Sequence, residues 1–267
     1  MKRLLLACAV AAVGLVLCVA VYRYARREGP ATTPLARAAQ DGDAAAIGAL
    51  SARGEDVNAR DANGYAPLVY AARAGDPRVV GALLDAGADP NLRGCASWGW
   101  TPLIHAIHKY QNAAARALVE RGADVNGRAG DCADRLVEDG LTPLMMAAKY
   151  DDAEMVKFLL EHGADVRATY DGENALAFAV AGGSLGRLSD IDRAATHPCP
   201  LETVKLLLER APDLGIKRSV LNRSMLYVVK KKCPDVARLL EGRKPPALPA
   251  PGGRNAQASA AEGGARR

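Results

Sequence analysis

The stretch that decides the fold is TPLMMAAKYDDAEMVKFLLEHGADV, Thr142 to Val166. It opens on Thr-Pro-Leu, passes an alanine pair, runs to two adjacent leucines and closes on Gly-Ala-Asp. A threonine hydroxyl caps a helix, and proline in the first helical turn gives up no needed hydrogen bond. Ala147-Ala148 lets helices approach closely, while Leu159-Leu160 is expected to point into a core. Gly163 suits the left-handed conformation that ends a helix. The segment reads as two short helices followed by a turn.

The pattern recurs along the chain. Related starts are Thr33-Pro34-Leu35, Ala66-Pro67-Leu68, Thr101-Pro102-Leu103 and, more weakly, Asn174-Ala175-Leu176. GEDVN follows at Gly54, GADPN at Gly87, GADVN at Gly122 and GADVR at Gly163, each 21 residues after its start. From start to start the spacings are 33, 35, 41 and 32. Repetition at a short, nearly constant period marks a stacked solenoid. With the core distance constant, length variation falls in the connecting loops. CASWGW and GRAGDCADRLVEDGL are thus extended loop tips of neighbouring units.

These residues closely resemble the ankyrin repeat over about Thr33 to Leu240. The resemblance implies an all-α solenoid of five to six helix-turn-helix units with protruding β-hairpin loops, preceded by one N-terminal hydrophobic helix. The fifth unit departs, with an insertion around GSLGRLSDIDRAATHPCP between its helices. The sixth, SMLYVVKKKCPDVARLL, is shortened like a C-terminal cap. The expected organisation is residues 1–27 as anchor or signal, 28–242 as the repeat domain and 243–267 as a disordered tail. That tail has too few apolar residues to fold.

Charge narrows the choice of partner. The chain carries a net +5, but residues 28–241 hold 25 bases against 29 acids. A slightly acidic repeat region speaks against nucleic acid as the partner. The run LLLACAVAAVGLVLCVAV, residues 4–21, has 18 residues without a charge and follows Lys2 and Arg3. It is at the threshold for spanning a bilayer and long for a signal peptide. An uncleaved membrane anchor, a signal cleaved after Ala20 and a buried helix remain open. The first two place a bacterial-type protein at the membrane facing the periplasm, or in the periplasm.

Four cysteines lie beyond the leader, and they pair by position as Cys95 with Cys132 and Cys199 with Cys233. Equivalent sites in adjacent repeats are about 10 Å apart by helix packing, too far for a bridge. The second pair therefore needs the fifth-unit insertion to draw Cys199 closer. Spacing excludes neither the other connectivities nor four reduced thiols. There is no C-x-x-C motif, and no metal or other cofactor is expected. No G-x-S-x-G, H-E-x-x-H or phosphate-binding glycine loop occurs, so an enzyme is not expected.

Ankyrin-like stacks bind partners through loop tips and the concave face of the first helices. Carried onto units two to four, that implies a protein-binding strip of Tyr65, Arg73, Trp98, Trp100, His108, Lys109, Tyr110, Lys149 and Tyr150. Aromatics beside bases are what interface hot spots are made of. The alternative is that the tryptophans only pack the long loops together. The resulting expectation is a monomeric, non-enzymatic scaffold for a protein partner, or an immunity or inhibitor protein neutralising a toxin or enzyme. In exported protein, non-reducing peptide mapping is expected to link Cys95 to Cys132. Closing that loop contributes about 3–4 kcal/mol in the chain-entropy account, and free thiols at both positions would count against it.

Overall fold

The computed structural model describes residues 31–94, 99–130, 140–181, 199–216 and 233–241. The apolar run 4–21, Trp98, Cys95, Cys132, residues 182–198 of the fifth-unit insertion and the segment 243–267 lie outside the described residues. So does much of the shortened sixth unit.

Helices follow one another in pairs: α1 (Pro34–Asp41) and α2 (Ala44–Ala52), α3 (Pro67–Ala74) and α4 (Pro77–Asp85), α5 (Pro102–His108) and α6 (Asn112–Glu120). Then come α7 (Pro143–Lys149) and α8 (Ala153–Glu161), α9 (Ala175–Ala181) and α10 (Leu201–Arg210), and α11 (Pro234–Leu240). The helices start where the sequence says they should. Thr33, Thr101 and Thr142 accept hydrogen bonds from the amides of Ala36, Ile104 and Met145 at 3.2, 3.3 and 3.3 Å. Asn174 caps α9 in the same way, accepting from Ala177 at 3.1 Å. Ala66 has no side chain to cap with, and α3 starts uncapped.

Each first helix packs on its own second helix and on the first helices before and after it. The leucines of the repeated starts, Leu35, Leu68, Leu103, Leu144 and Leu176, are all buried, as are Ala71, Ala72, Ala147 and Ala148. Ala106 keeps the first place of that pair in the third unit, where a buried Ile107 takes the second. Leu83 and both Leu159 and Leu160 enter the core, but Leu84 stays half-buried.

Among the described residues no strand forms, so the regular β-hairpins implied by the resemblance are absent from these parts. The loops close on single backbone bonds, from Asp61 to Tyr65, Gly94 to Trp100 and Ala129 to Leu141, at 3.0, 3.0 and 2.9 Å. One isolated antiparallel bridge joins Tyr170 and Glu173. The reason is that Asp and Asn side chains compete for the backbone groups a ladder would use. Within each loop the Asp accepts from the amide two residues on, as Asp56 does from Asn58 at 2.9 Å and Asp124 from Asn126 at 2.8 Å.

The Asn of the same loop then reaches the next unit. Asp89, Asp124 and Asp165 donate their amides to Asn58, Asn91 and Asn126 at 2.8, 2.8 and 2.7 Å. Asn58 and Asn126 also donate to the carbonyls of Gly87 and Gly163 at 3.2 and 3.1 Å. At the next step Arg167 replaces asparagine and forks onto Asp213 with bonds of 2.9 and 2.6 Å. Neighbouring loops also touch directly. Gly130 donates to Gly99 at 3.1 Å, and a Cβ on Gly99, itself at φ +61, would collide with the Gly130 carbonyl.

Asn126→Ala removes two hydrogen bonds between units and is expected to lower stability by about 1–2 kcal/mol in urea unfolding. Arg167→Ala is expected to cost less, and its effect to shrink as salt is added. An Asn126→Ala protein as stable as the parent would refute the role given to this ladder.

Candidate interaction surface

A run of rings crosses units two to four. Tyr65 meets Tyr70 and His105 edge-on, with centroids 5.7 and 5.5 Å apart. His105 meets Trp100 at 5.3 Å, and Trp100 meets His108 at 4.9 Å. His108 Nδ1 lies 2.5 Å from the Tyr150 hydroxyl, and the Tyr150 ring lies 5.0 Å from that of Tyr110. Edge-to-face and tilted contacts at such distances favour the ring quadrupoles. The rings are thus positioned by one another and by the helix termini that carry them.

Bases border this run. The Arg73 guanidinium sits 5.5 Å from the Tyr65 ring centre, and the Lys149 ammonium 5.7 Å from that of Tyr150. Burial holds the Arg73 guanidinium below its ordinary pKa. Burial, then the nearby charge of Arg73, does the same to Lys109. Arg73 and Lys109 are thus close enough for the charge of the first to act on the second.

The structure corrects part of the expected strip. Tyr65, expected to present its ring at the base of a loop tip, is 2% exposed and belongs to the core. Its loop closes around Asp61, whose carboxylate accepts from the amides of Thr32, Asn63 and Tyr65 and from the Tyr70 hydroxyl. Burial raises the Asp61 pKa, but these bonds, led by that from Tyr70, outweigh it and hold the carboxyl below its ordinary value. The loop is drawn inward, and Tyr65 with it. Trp100, His108, Lys149, Tyr150 and Arg73 are half-buried, whereas Lys109 and Tyr110 are exposed. Tyr110, at 41%, is the most exposed large apolar side chain among the described residues. Trp98 lies outside them.

Residue-type reasoning missed the centre of the run. His105 is 1% exposed, and neither ring nitrogen has a hydrogen-bond partner among the described residues. The available signal was the one-residue displacement of histidine in Thr101-Pro102-Leu103-Ile104-His105. At the far end of the stack, Cys199 and Cys233 are joined in a disulfide with Cα atoms 5.4 Å apart, tying the start of α10 to the start of α11.

A family model described as Ankyrin repeats (3 copies) matches residues 6–94, 35–129 and 126–188. The chain belongs to the ankyrin-repeat family. Ankyrin repeats generally mediate protein–protein interaction, and such domains are in general non-catalytic binding scaffolds. No curated protein matches the chain. Among the described residues of this ankyrin stack, no cluster of His, Cys, Asp and Glu is arranged to hold a metal ion. No described helix is long and apolar enough to cross a membrane.

Burial in the ankyrin stack drives the His105 pKa well below its ordinary 6.5, helped by the charges of Arg73, His108 and Lys109. The unfolded chain keeps the ordinary value. Below pH 6.5 the unfolded state therefore takes up a proton that the folded state refuses, and stability falls with pH. Above pH 6.5 His105 adds no slope. His105→Leu is expected to flatten the stability profile between pH 6.5 and about 5, by up to about 1.4 kcal/mol per pH unit. Parallel profiles for parent and variant in urea titrations would show that His105 is not the group responsible.

Proposed function

We propose that this ankyrin-repeat protein is a non-enzymatic scaffold. It captures a protein partner through the groove of units two to four while held at a membrane or in the periplasm. The observation that carries the binding half is the run of rings bordered by Arg73, Lys109 and Lys149. Half-exposed aromatics give large contact area at low entropic cost, and fixed bases steer an oppositely charged partner. A surface that only packed loops together would have no use for three bases along its border. The membrane half rests on the uncharged run 4–21, with bases on both sides of it.

The test places a photo-crosslinking amino acid at Tyr150 or, on the second-helix side, at Lys157 of the full chain in native membranes. One dominant adduct from the Tyr150 position and none from the Lys157 position is the expected result. Tyr150→Ala is expected to weaken capture of that adduct's protein by about 2 kcal/mol. Arg116→Ala and Lys157→Ala should leave capture unchanged, and the opposite pattern would overturn the groove assignment. Removal of residues 1–27 is expected to release the chain from the membrane or periplasmic fraction, and a full-length chain found free in the cytosol would sink that half.

A further inference from the structure

The fourth residue of the first helix is buried in units two to five, as Tyr70, His105, Met146 and Phe178. Met146 and Phe178 are apolar. Tyr70 brings a hydroxyl, and that hydroxyl donates to the Asp61 carboxylate at 2.7 Å. His105 brings two ring nitrogens, and among the described residues neither has a hydrogen-bond partner. Only the third unit places a polar group here and leaves it unpaired.

The loops show how the partner was lost. Asp61 and Gly94 stand in equivalent places, each donating its amide to the residue just before a repeat start, Tyr65 and Trp100. The position that pairs Tyr70 with a carboxylate is thus a glycine beside His105. No acid fits there. A Cβ on Gly94 would stand 2.7 Å from the Tyr65 ring and 3.7 Å from His105 Nε2. A methionine, as in the fourth unit, would fill the space with no polar atom to leave unpaired. A local rule broken without compensation inside a regular repeat marks a functional position.

Two rings lie edge-on to the imidazole. Tyr65 belongs to the core, whereas Trp100 is half-buried and also meets His108. The charges that act on His105 come from Arg73 on α3 and from His108 and Lys109 at the end of α5. Among the described residues, α6 and α7, which also pack on α5, contribute none. Asp61, bound to Tyr70, is held below its ordinary value and stays ionised in weak acid.

We propose that His105 is an acid-sensing trigger of the groove: its protonation drives Trp100 off the imidazole, opens the run of rings and releases the bound partner. An imidazolium carries two N–H donors and finds no acceptor where His105 lies, so it is stable only where water reaches it. Trp100 is the half-buried ring whose displacement admits water, and it is also part of the binding surface. The opened form keeps the ordinary value of 6.5, while burial pushes the closed form well below it. Opening therefore grows as pH falls below 6.5, by up to about tenfold per pH unit, and is unaffected above it. The release step rests on the scaffold reading above. The trigger does not.

The experiment uses the full chain carrying Trp98→Phe, so that Trp100 alone reports. Between pH 7.5 and 4.5, acrylamide quenching of its fluorescence is expected to rise severalfold while the helical circular-dichroism signal holds. His105→Met is expected to abolish the rise, with His105→Leu as a second replacement, and His108→Gln is expected to keep it. Quenching that stays flat in the parent, or rises only as the helical signal is lost, overturns the trigger. So does a rise that survives both His105 replacements, or one that His108→Gln removes. For the release, photo-crosslinking from Tyr150 is compared at pH 7.5 and 5. The parent is expected to lose its adduct by about tenfold or more, and His105→Met to keep it. Equal adduct at both pH values, with Trp100 displaced, overturns the release and leaves the scaffold reading standing. No adduct at either pH removes the scaffold reading and the release with it, while the quenching result decides the trigger by itself.

Discussion

No unit of this chain can bury its apolar face alone. A pair of helices of seven to ten residues is too short to be stable in water by itself. Each pair covers its leucines only by lying against the pairs before and after it. Everything else in the structure answers to that constraint. The alanines at the contacts set how closely the first helices approach, and threonine or asparagine caps start four of the five described first helices at the same place. The Asn-to-Asp bonds between loops hold successive units in one register. The stability of such a stack is a sum of unit terms and neighbour terms. A change at one junction is therefore felt mainly there.

The fold was legible because its signals are local. A capping residue, a proline, a leucine and a glycine 21 positions later each do one mechanical thing wherever they occur, and the structure repeats them. The loops were less legible. Nothing in Asp-x-Asn says whether the asparagine turns back on its own loop or forward to the next one. The answer depends on the stacking distance, which exists only once the helices have packed. A ladder was therefore hidden in residues that composition assigns simply to turns.

The candidate surface divides in the same way. Lys109 and Tyr110 stand exposed just past the end of α5, where the chain leaves the helix and Tyr110 takes a left-handed turn. Tyr65 and Trp100 occupy equivalent places just before a repeat start, and phase alone sends both to the surface. Instead Tyr65 is drawn in by a loop closed on the Asp61 carboxylate, and Trp100 leans on His105. The fate of a residue just outside a helix is settled by the side chains its loop closes on, which helical phase does not describe. The one-residue displacement of His105 is visible in the sequence, but its place at the centre of the rings depends on Tyr65 and Trp100, which only the packed loops bring to it.

The exchange of asparagine for arginine at position 167 changes the kind of material the loop column is made of. Up to that point the loops are laced by the neutral Asn-to-Asp bonds, with Arg60 and Arg128 donating to the carbonyls of Arg93 and Thr169 beside them. Beyond it the tie is an ion pair open to solvent, reaching across to Asp213. A rising ionic strength weakens that one pair and leaves the neutral bond from Asn174 to the Gly215 carbonyl in place. The disulfide between α10 and α11 lies past that pair and joins the last two described helices covalently, a tie that salt does not touch.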